Sequence, residues 1–252
     1  MSLTLTVLGS AGSHPQAGRV CSGYLVTADG TSVLLDAGNG STANLLRFVD
    51  WSELDGVAVS HRHVDHCIDL VGAFYAMRFA APRSERLPLH APAEVAETLR
   101  GLLSSDSAHR FDDVFAAREV AAGDRSSFGP VEIEYFASEH PPPSVSMRVS
   151  VDDRVLAYSG DSAGGPGLVE CASGADLLLC EASWAGDPSG LPPGVHLTAR
   201  GAAEVATAAG VDRLLLTHVA GGTDRDLALR EAREHFAGPV ELAEDLAVHR
   251  LV

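Results

Sequence analysis

The densest chemistry in the sequence is Ser60-His61-Arg62-His63-Val64-Asp65-His66. It places four groups that can bind a cation, His61, His63, Asp65 and His66, between positions 61 and 66. In an extended or turning segment, residues two apart project to one side, so His61 and His63 reach one cation. Asp65 and His66 lie further round and face a second. Neutral imidazole and carboxylate suit Zn²⁺, and also Mn²⁺ or Fe. His140, Asp161 and His218 are further candidates. Singly, each reads equally well as a turn, capping or satisfied buried residue. With the first motif they make seven, enough for two divalent ions if one carboxylate is shared. Asp161 is the natural bridge, because a carboxylate has two oxygens. Such a site suits metal-assisted hydrolysis, in which paired ions about 3.5–4 Å apart share a water and the substrate oxygens.

These residues need a scaffold, and the sequence supplies one. Apolar runs end at many of them: Val57–Val59 before Ser60-His61, Val131–Phe136 before Glu139-His140, Val155–Tyr158 before Ser159-Gly160-Asp161, Leu177–Cys180 before Glu181, and Leu214–Leu216 before Thr217-His218. Leu3–Leu8 runs into Gly9-Ser10-Ala11-Gly12, and Tyr24–Thr27 and Ser32–Leu35 flank the hairpin signal Asp29-Gly30. Helical patterns lie between the runs, at Ser41–Phe48, Ile68–Phe79, Ala93–Leu103, Thr198–Ala209 and Asp224–Phe236. The segment Leu103–Ser127 is the least regular and reads as a loop or lid. Strand–helix alternation without a linker predicts one α/β domain over residues 1–252, with two similar halves packed sheet to sheet. In open α/β sheets ligands bind at strand carboxyl ends, so the run endings are expected to converge on one edge. The helix Leu70–Phe79 reads as core, as an interface or as a pocket wall, with core burial favoured.

Composition narrows the setting. The net charge is 18 basic minus 34 acidic residues, or −16, and every basic residue is Arg. Such a surface repels a polyanion unless Arg clusters locally. The candidates for a cluster, Arg78–Arg86 and Leu99–Arg118, read first as solvated helix faces. The apolar runs are too short to span a bilayer, the start has no basic leader region, and the four cysteines have no CxxC spacing. These features predict a soluble, reduced, cytoplasmic protein with no membrane partner.

His61-Arg62-His63-Val64-Asp65-His66 resembles the HxHxDH signature of the metallo-β-lactamase superfamily, and His140, Asp161 and His218 follow in that family's order. The resemblance spans nearly the whole chain. It implies an αββα sandwich of two mixed sheets flanked by helices. By the same resemblance His61, His63 and His140 hold one metal, Asp65, His66 and His218 hold the other, and Asp161 bridges, with zinc the first choice.

Other segments resemble ribonuclease Z and its phosphodiesterase relatives. They are Leu8-Gly9-Ser10 with Gly12, Pro15, Arg19 and Ser22, then Asp36-Ala37-Gly38-Asn39-Gly40, Cys180-Glu181-Ala182-Ser183-Trp184 and His196-Leu197-Thr198. This similarity implies a catalytic pair in which Glu181 supports His196, and His196 protonates the leaving oxygen. A His kept cationic by a carboxylate is a suitable acid for a departing alkoxide near neutral pH. Asp65 is expected to orient or deprotonate the attacking water as well as to bind metal. The Ser10–Ser13 amides, Ser144 and Arg148 are further candidates to touch substrate.

Ribonuclease Z usually inserts a long basic arm between the elements that end here at His140 and Asp161. Only residues 141–160 separate them, which leaves no room for an arm. The sequence is therefore most similar to the small cyclic-nucleotide phosphodiesterases of the superfamily, with a small phosphodiester as substrate. RNA cleavage at tRNA 3′ ends, or thioester or lactone hydrolysis, is the alternative. A homodimer is implied by the resemblance alone.

Overall fold

The apolar runs become the strands of two seven-stranded sheets. A computed structural model describes residues 2–252. The first sheet contains β1 (Leu3–Gly9), β2 (Gly23–Ala28), β3 (Thr31–Ala37), β4 (Gly56–Ala58), β5 (Leu87–Ala91) and β6 (Phe115–Glu119). The second contains β7 (Arg125–Phe128), β8 (Val131–Ala137), β9 (Val145–Val151), β10 (Arg154–Tyr158), β11 (Leu177–Glu181), β12 (Leu214–Thr217) and β13 (Val240–Leu242). The last strand, β14 (Val248–Leu251), returns to pair with β1. The strand orders are 14-1-2-3-4-5-6 and 13-12-11-10-9-8-7.

Each sheet is antiparallel over one half and parallel over the other. Strands β14, β1, β2 and β3 alternate in direction, and β3 to β6 run parallel. Likewise β7 to β10 alternate and β10 to β13 run parallel. The parallel strands β3 and β11 are buried at every position, as strands covered on both faces must be. Leu5, Val7, Tyr24, Val33, Ile133, Met147 and Leu156 belong to the core between the sheets. Two outer cores, one around Leu34, Phe74 and Leu89 and one around Leu178, Ala203 and Leu216, seat the helices. The arrangement is the αββα sandwich of two mixed sheets.

Local chemistry sets the boundaries. Asp29 and Gly30 both take positive φ, 45° and 81°, and turn the β2–β3 hairpin. Helix Ala199–Ala209 starts where Thr198 Oγ1 accepts from Gly201 N–H and ends at Gly210, φ 65°. The helix expected over Ser41–Phe48 stops at Leu45, and Phe48 is exposed. In helix Asp69–Phe79, Leu70, Phe74 and Met77 enter the core, whereas Tyr75 and Phe79 reach solvent.

The loop or lid expected over Leu103–Ser127 is not present. The segment forms two helical turns, Ser105–Ala108 and Phe111–Val114, then β6 and the start of β7. Phe111 and Phe115 are buried, with ring centroids 5.0 Å apart, and pin the segment to the outer core. Among the described residues, no helix is long and apolar enough to cross a membrane.

One close approach ties sheet to site. A Cβ added to Gly38 would lie 1.8 Å from the backbone oxygen of Asp65. Gly38→Ala is therefore expected to push the Asp65 segment outward. It should cost about 1–3 kcal/mol of stability, seen as a lower thermal midpoint, and weaken metal uptake in the same preparation.

Candidate metal centre

The carboxyl ends of the parallel strands β4, β10 and β12, and of the antiparallel strand β8, deliver the candidate ligands to one place. His61 follows β4, and His63 opens the short helix Val64–Cys67 that carries Asp65 and His66. His140 follows β8, Asp161 follows β10, and His218 follows β12. The seven residues form two sets, His61, His63, His140 and Asp161, and Asp65, His66, His218 and Asp161. Within each set the donor atoms all lie within 4.8 Å of one another.

The distances fit coordination shells. In the first set His61 Nε2 is 2.9 Å from His63 Nδ1, which is 3.2 Å from His140 Nε2. Asp161 Oδ2 lies 3.7 Å from His61 Nε2 and 3.9 Å from His140 Nε2. In the second set Asp161 Oδ1 lies 3.1 Å from His66 Nε2 and 3.4 Å from His218 Nε2. Asp65 Oδ2 is 3.6 and 3.3 Å from the same two nitrogens. Tetrahedral ligands about 2.1 Å from a zinc ion stand about 3.4 Å apart, close to these edges. The two oxygens of Asp161 face different sets, as a bridge requires. His66 Nε2 and Asp161 Oδ1 are buried without a hydrogen bond of acceptable geometry, a state that a cation between them would relieve. The residues fit a pair of divalent ions.

Supporting contacts aim the rings. His66 Nδ1–H donates to Asp36 Oδ2 at 2.7 Å, and His140 Nδ1–H donates to the Val195 carbonyl at 2.7 Å. Ser60 Oγ donates to Asp36 and receives His61 Nδ1–H at 3.0 Å. Ser183 Oγ donates to Glu181 and receives His218 Nδ1–H at 3.0 Å. Four imidazoles are thus held with Nε2 facing the centre, whereas His63 presents Nδ1. Burial and the neighbouring imidazoles hold His61 and His63 below the usual histidine pKa, in the neutral form that binds metal. Burial opposes ionisation of Asp65, but its His218 hydrogen bond and the charge of His66 outweigh this and lower its pKa.

Sequence reasoning missed Asp36 as a hub. It is fully buried at the end of β3 and accepts from Ser60 N–H, Ser60 Oγ, His66 Nδ1–H and, at 2.5 Å, the Tyr158 hydroxyl. It also takes φ 56°, as His218 takes φ 52°, a conformation uncommon outside glycine but easier for Asp and His than for most residues. Its signal was an acidic residue closing an apolar strand, the same signal that singled out Asp161. Asp36→Asn removes acceptor capacity and places an amide N–H₂ among donors. It is expected to weaken metal binding about 10–100-fold, measured by titration against a chelator of known affinity.

Glu181 and His196 are also brought together. Glu181 is fully buried and accepts from Ser162 N–H and Ser183 Oγ. His196 Nδ1–H donates to Glu181 Oε1 at 2.9 Å. The loop before helix Ala199–Ala209 is fixed by Ala199 N–H donating to the Trp184 carbonyl. The His196 ring stacks on His218, centroids 5.4 Å apart, and its Nδ1 stands 3.8 Å from Asp161 Oδ2. Burial disfavours its cation, but the Glu181 hydrogen bond and charge prevail and raise its pKa. Its side chain is 15 % exposed, against 0 % for His61, so it can exchange protons with solvent.

Of the further expected substrate contacts, Arg148, Ser144 and two of the Ser10–Ser13 amides are engaged within the protein. Arg148 lies on β9 and donates to the carbonyls of Cys171 and Ser173. Ser144 Oγ donates to the Pro142 carbonyl. The amides of Ala11 and Gly12 already donate to the carbonyls of Val20 and Val219. Arg148 thus caps the carboxyl end of helix Pro166–Ala172, and Ser144 closes a local turn.

The comparisons agree with this geometry. Residues 31–219 match the Beta-lactamase superfamily domain. The uncharacterized protein Rv1339 of Mycobacterium tuberculosis is 37% identical over 246 residues, covering 95% of this chain and 89% of that protein. Ribonuclease Z of Myxococcus xanthus is 29% identical over 297 aligned positions, covering 96% of each. The crystal structure of YhfI from Bacillus subtilis, a metallo-β-lactamase fold protein, superposes with a TM-score of 0.88 at 27% identity, covering 99% of both chains. With two facing His/Asp ligand sets at one edge of its sandwich, the chain belongs to the metallo-β-lactamase superfamily of metallo-hydrolases, in its ribonuclease Z-like branch.

Proposed function

We propose that the chain, working as one domain over residues 1–252, is a dinuclear phosphodiesterase that hydrolyses a small phosphodiester such as a cyclic nucleotide. The observation that carries this reading is the Glu181–His196 pair, held 2.9 Å apart with His196 Nδ1 3.8 Å from the shared Asp161. A diester expels a basic alkoxide, which needs a proton. Glu181 fixes the His196 Nδ1–H, leaving Nε2 to hold the proton that the leaving oxygen takes. Asp65, with its carboxylate ionised, orients the attacking water and accepts its proton. His61, His63 and His140 would hold one divalent ion, Asp65, His66 and His218 the other, and Asp161 both. Zinc suits this donor set, and manganese or iron also fits it. When bound, the ions lower the pKa of water towards ~7 and offset charge building on the phosphoryl oxygens.

Small substrates are favoured over RNA by charge and by size. Arg100 pairs with Asp112 at 2.6 Å and Arg110 with Asp113 at 3.2 Å, so these cations are already matched. The Myxococcus ribonuclease Z aligns over 297 positions against 252 residues here, so it carries segments that this chain lacks.

The test is a panel of cyclic nucleotides, bis-p-nitrophenyl phosphate, pre-tRNA and a lactone, each assayed with Zn²⁺ and with Mn²⁺. Turnover of the small diesters is expected. Cleavage of pre-tRNA alone, with a steep salt dependence, would transfer the reading to an endoribonuclease. Turnover of the lactone alone would remove the role given to His196.

A further inference from the structure

A recess of about 520 Å³ opens beside His140. Pro92, just past β5, and Val120, just past β6, form one side of it, with Ala122. The Pro141–Pro143 run forms the other. It therefore lies at the carboxyl ends of parallel strands, where ligands bind in such sheets, and it shares His140 with the first ligand set.

Its wall is chemically quiet. Prolines have no N–H to offer. Ser138 Oγ donates to the Asp161 carbonyl, Ser144 Oγ to the Pro142 carbonyl, and Ala121 N–H to Asp124. Glu119 supplies the lining's charge, and it is negative. Beyond His140 the lining offers a phosphate no cationic side chain, and its two serine hydroxyls donate within the protein, whereas an uncharged ring finds apolar surface. The volume suits a small-molecule fragment, within the usual range of about 300–1,000 Å³. The His/Asp cluster next door has the opposite preference.

We propose that this recess is the specificity pocket for the organic half of the substrate, a planar uncharged heterocycle of the nucleobase class, while the diester group lies against the His/Asp cluster. The proposal rests on the phosphodiesterase reading and assigns a binding role to residues outside the catalytic set. The pocket sets which diester is preferred, and the cluster sets the reaction.

Ala122 is exposed at the rim, so a larger side chain there fills the recess without entering the core. Ala122→Trp is the test variant, and Ala121→Trp, also exposed, is the second should the first fail to fold. Two substrates are compared, a nucleoside cyclic phosphate and the cyclic phosphate of methyl riboside, which lacks the base. Calorimetry with the free nucleoside, which has no phosphate, reads the recess without catalysis. The variant is expected to lose about tenfold or more in kcat/KM on the nucleotide, mainly through KM. It should stay within about twofold on the base-free ester and no longer bind nucleoside. Equal losses on both esters, unchanged values on both, or undiminished nucleoside binding would overturn the proposal. If the wild-type protein hydrolyses neither ester, the phosphodiesterase reading fails, and nucleoside binding decides the recess on its own.

Discussion

His63→Ala is expected to strip the protein of firmly held metal and to lower diester turnover by about 10³-fold or more. The estimate follows from the size of what is lost, because transition-state stabilisation by bound ions is several kcal/mol and each 1.36 kcal/mol is tenfold in rate. His63 contributes the only Nδ1 donor of the first set, 2.9 Å from His61 Nε2 and 3.2 Å from His140 Nε2. Two imidazoles and a carboxylate that the second set also uses remain, one donor fewer than the complete set, so the ion is held less firmly. The fold should survive, because His63 is part-exposed at the start of a one-turn helix and outside the three cores. Metal analysis after gel filtration, melting curves and steady-state rates together check this. The variant should melt as the metal-stripped wild type does. Full activity in a metal-depleted preparation of the variant would refute the two-ion scheme.

His196→Ala should behave differently. Its ring is in neither complete ligand set of the seven, so metal content is expected to stay at the wild-type level. Turnover of a diester with an alkoxide leaving group should fall about 10²–10⁴-fold, the usual worth of a positioned acid. The loss should shrink sharply with p-nitrophenolate, which departs without a proton. That contrast separates an acid from a residue that merely packs on His218, since a packing defect slows both substrates alike. Glu181→Gln should share the pattern in weaker form, because Ser162 N–H and Ser183 Oγ hold the side chain in place while its charge is lost.

Much of this was legible in the sequence, and the reason is physical. Parallel strands buried on both faces read as continuous apolar runs, and the residue that ends such a run sits at the ligand-binding edge. His61, Asp161, Glu181 and His218 all stand at or near such endings. The supporting residues were harder to read. Asp36 and Tyr158 lie 122 positions apart and meet only after the sheets dock, and neither has a spacing signature. Ser60 and Ser183 look like ordinary turn residues until the imidazole beside each is seen. The parallel strand β6, Phe-Ala-Ala-Arg-Glu, pairs with β5 alone and carries no period, so Leu103–Ser127 reads as irregular. The alternation in β9, Val-Ser-Met-Arg-Val-Ser-Val, is present but lies beside a proline run that reads as loop.

The two ligand sets also constrain the order in which the molecule is made. Each draws on both sheets, since His61, His63, Asp65 and His66 come from the first and His140, Asp161 and His218 from the second. Neither half can present a complete coordination shell while a nascent chain still lacks the other. In small zinc modules, by contrast, the ion organises an otherwise unstructured peptide. Here the apolar layer between the sheets, from Leu3 to Leu251, has to find its topology unaided. Any ion that these sets take up would then be captured by a chain whose sheets have already docked, a loading of finished protein rather than a nucleus for its folding.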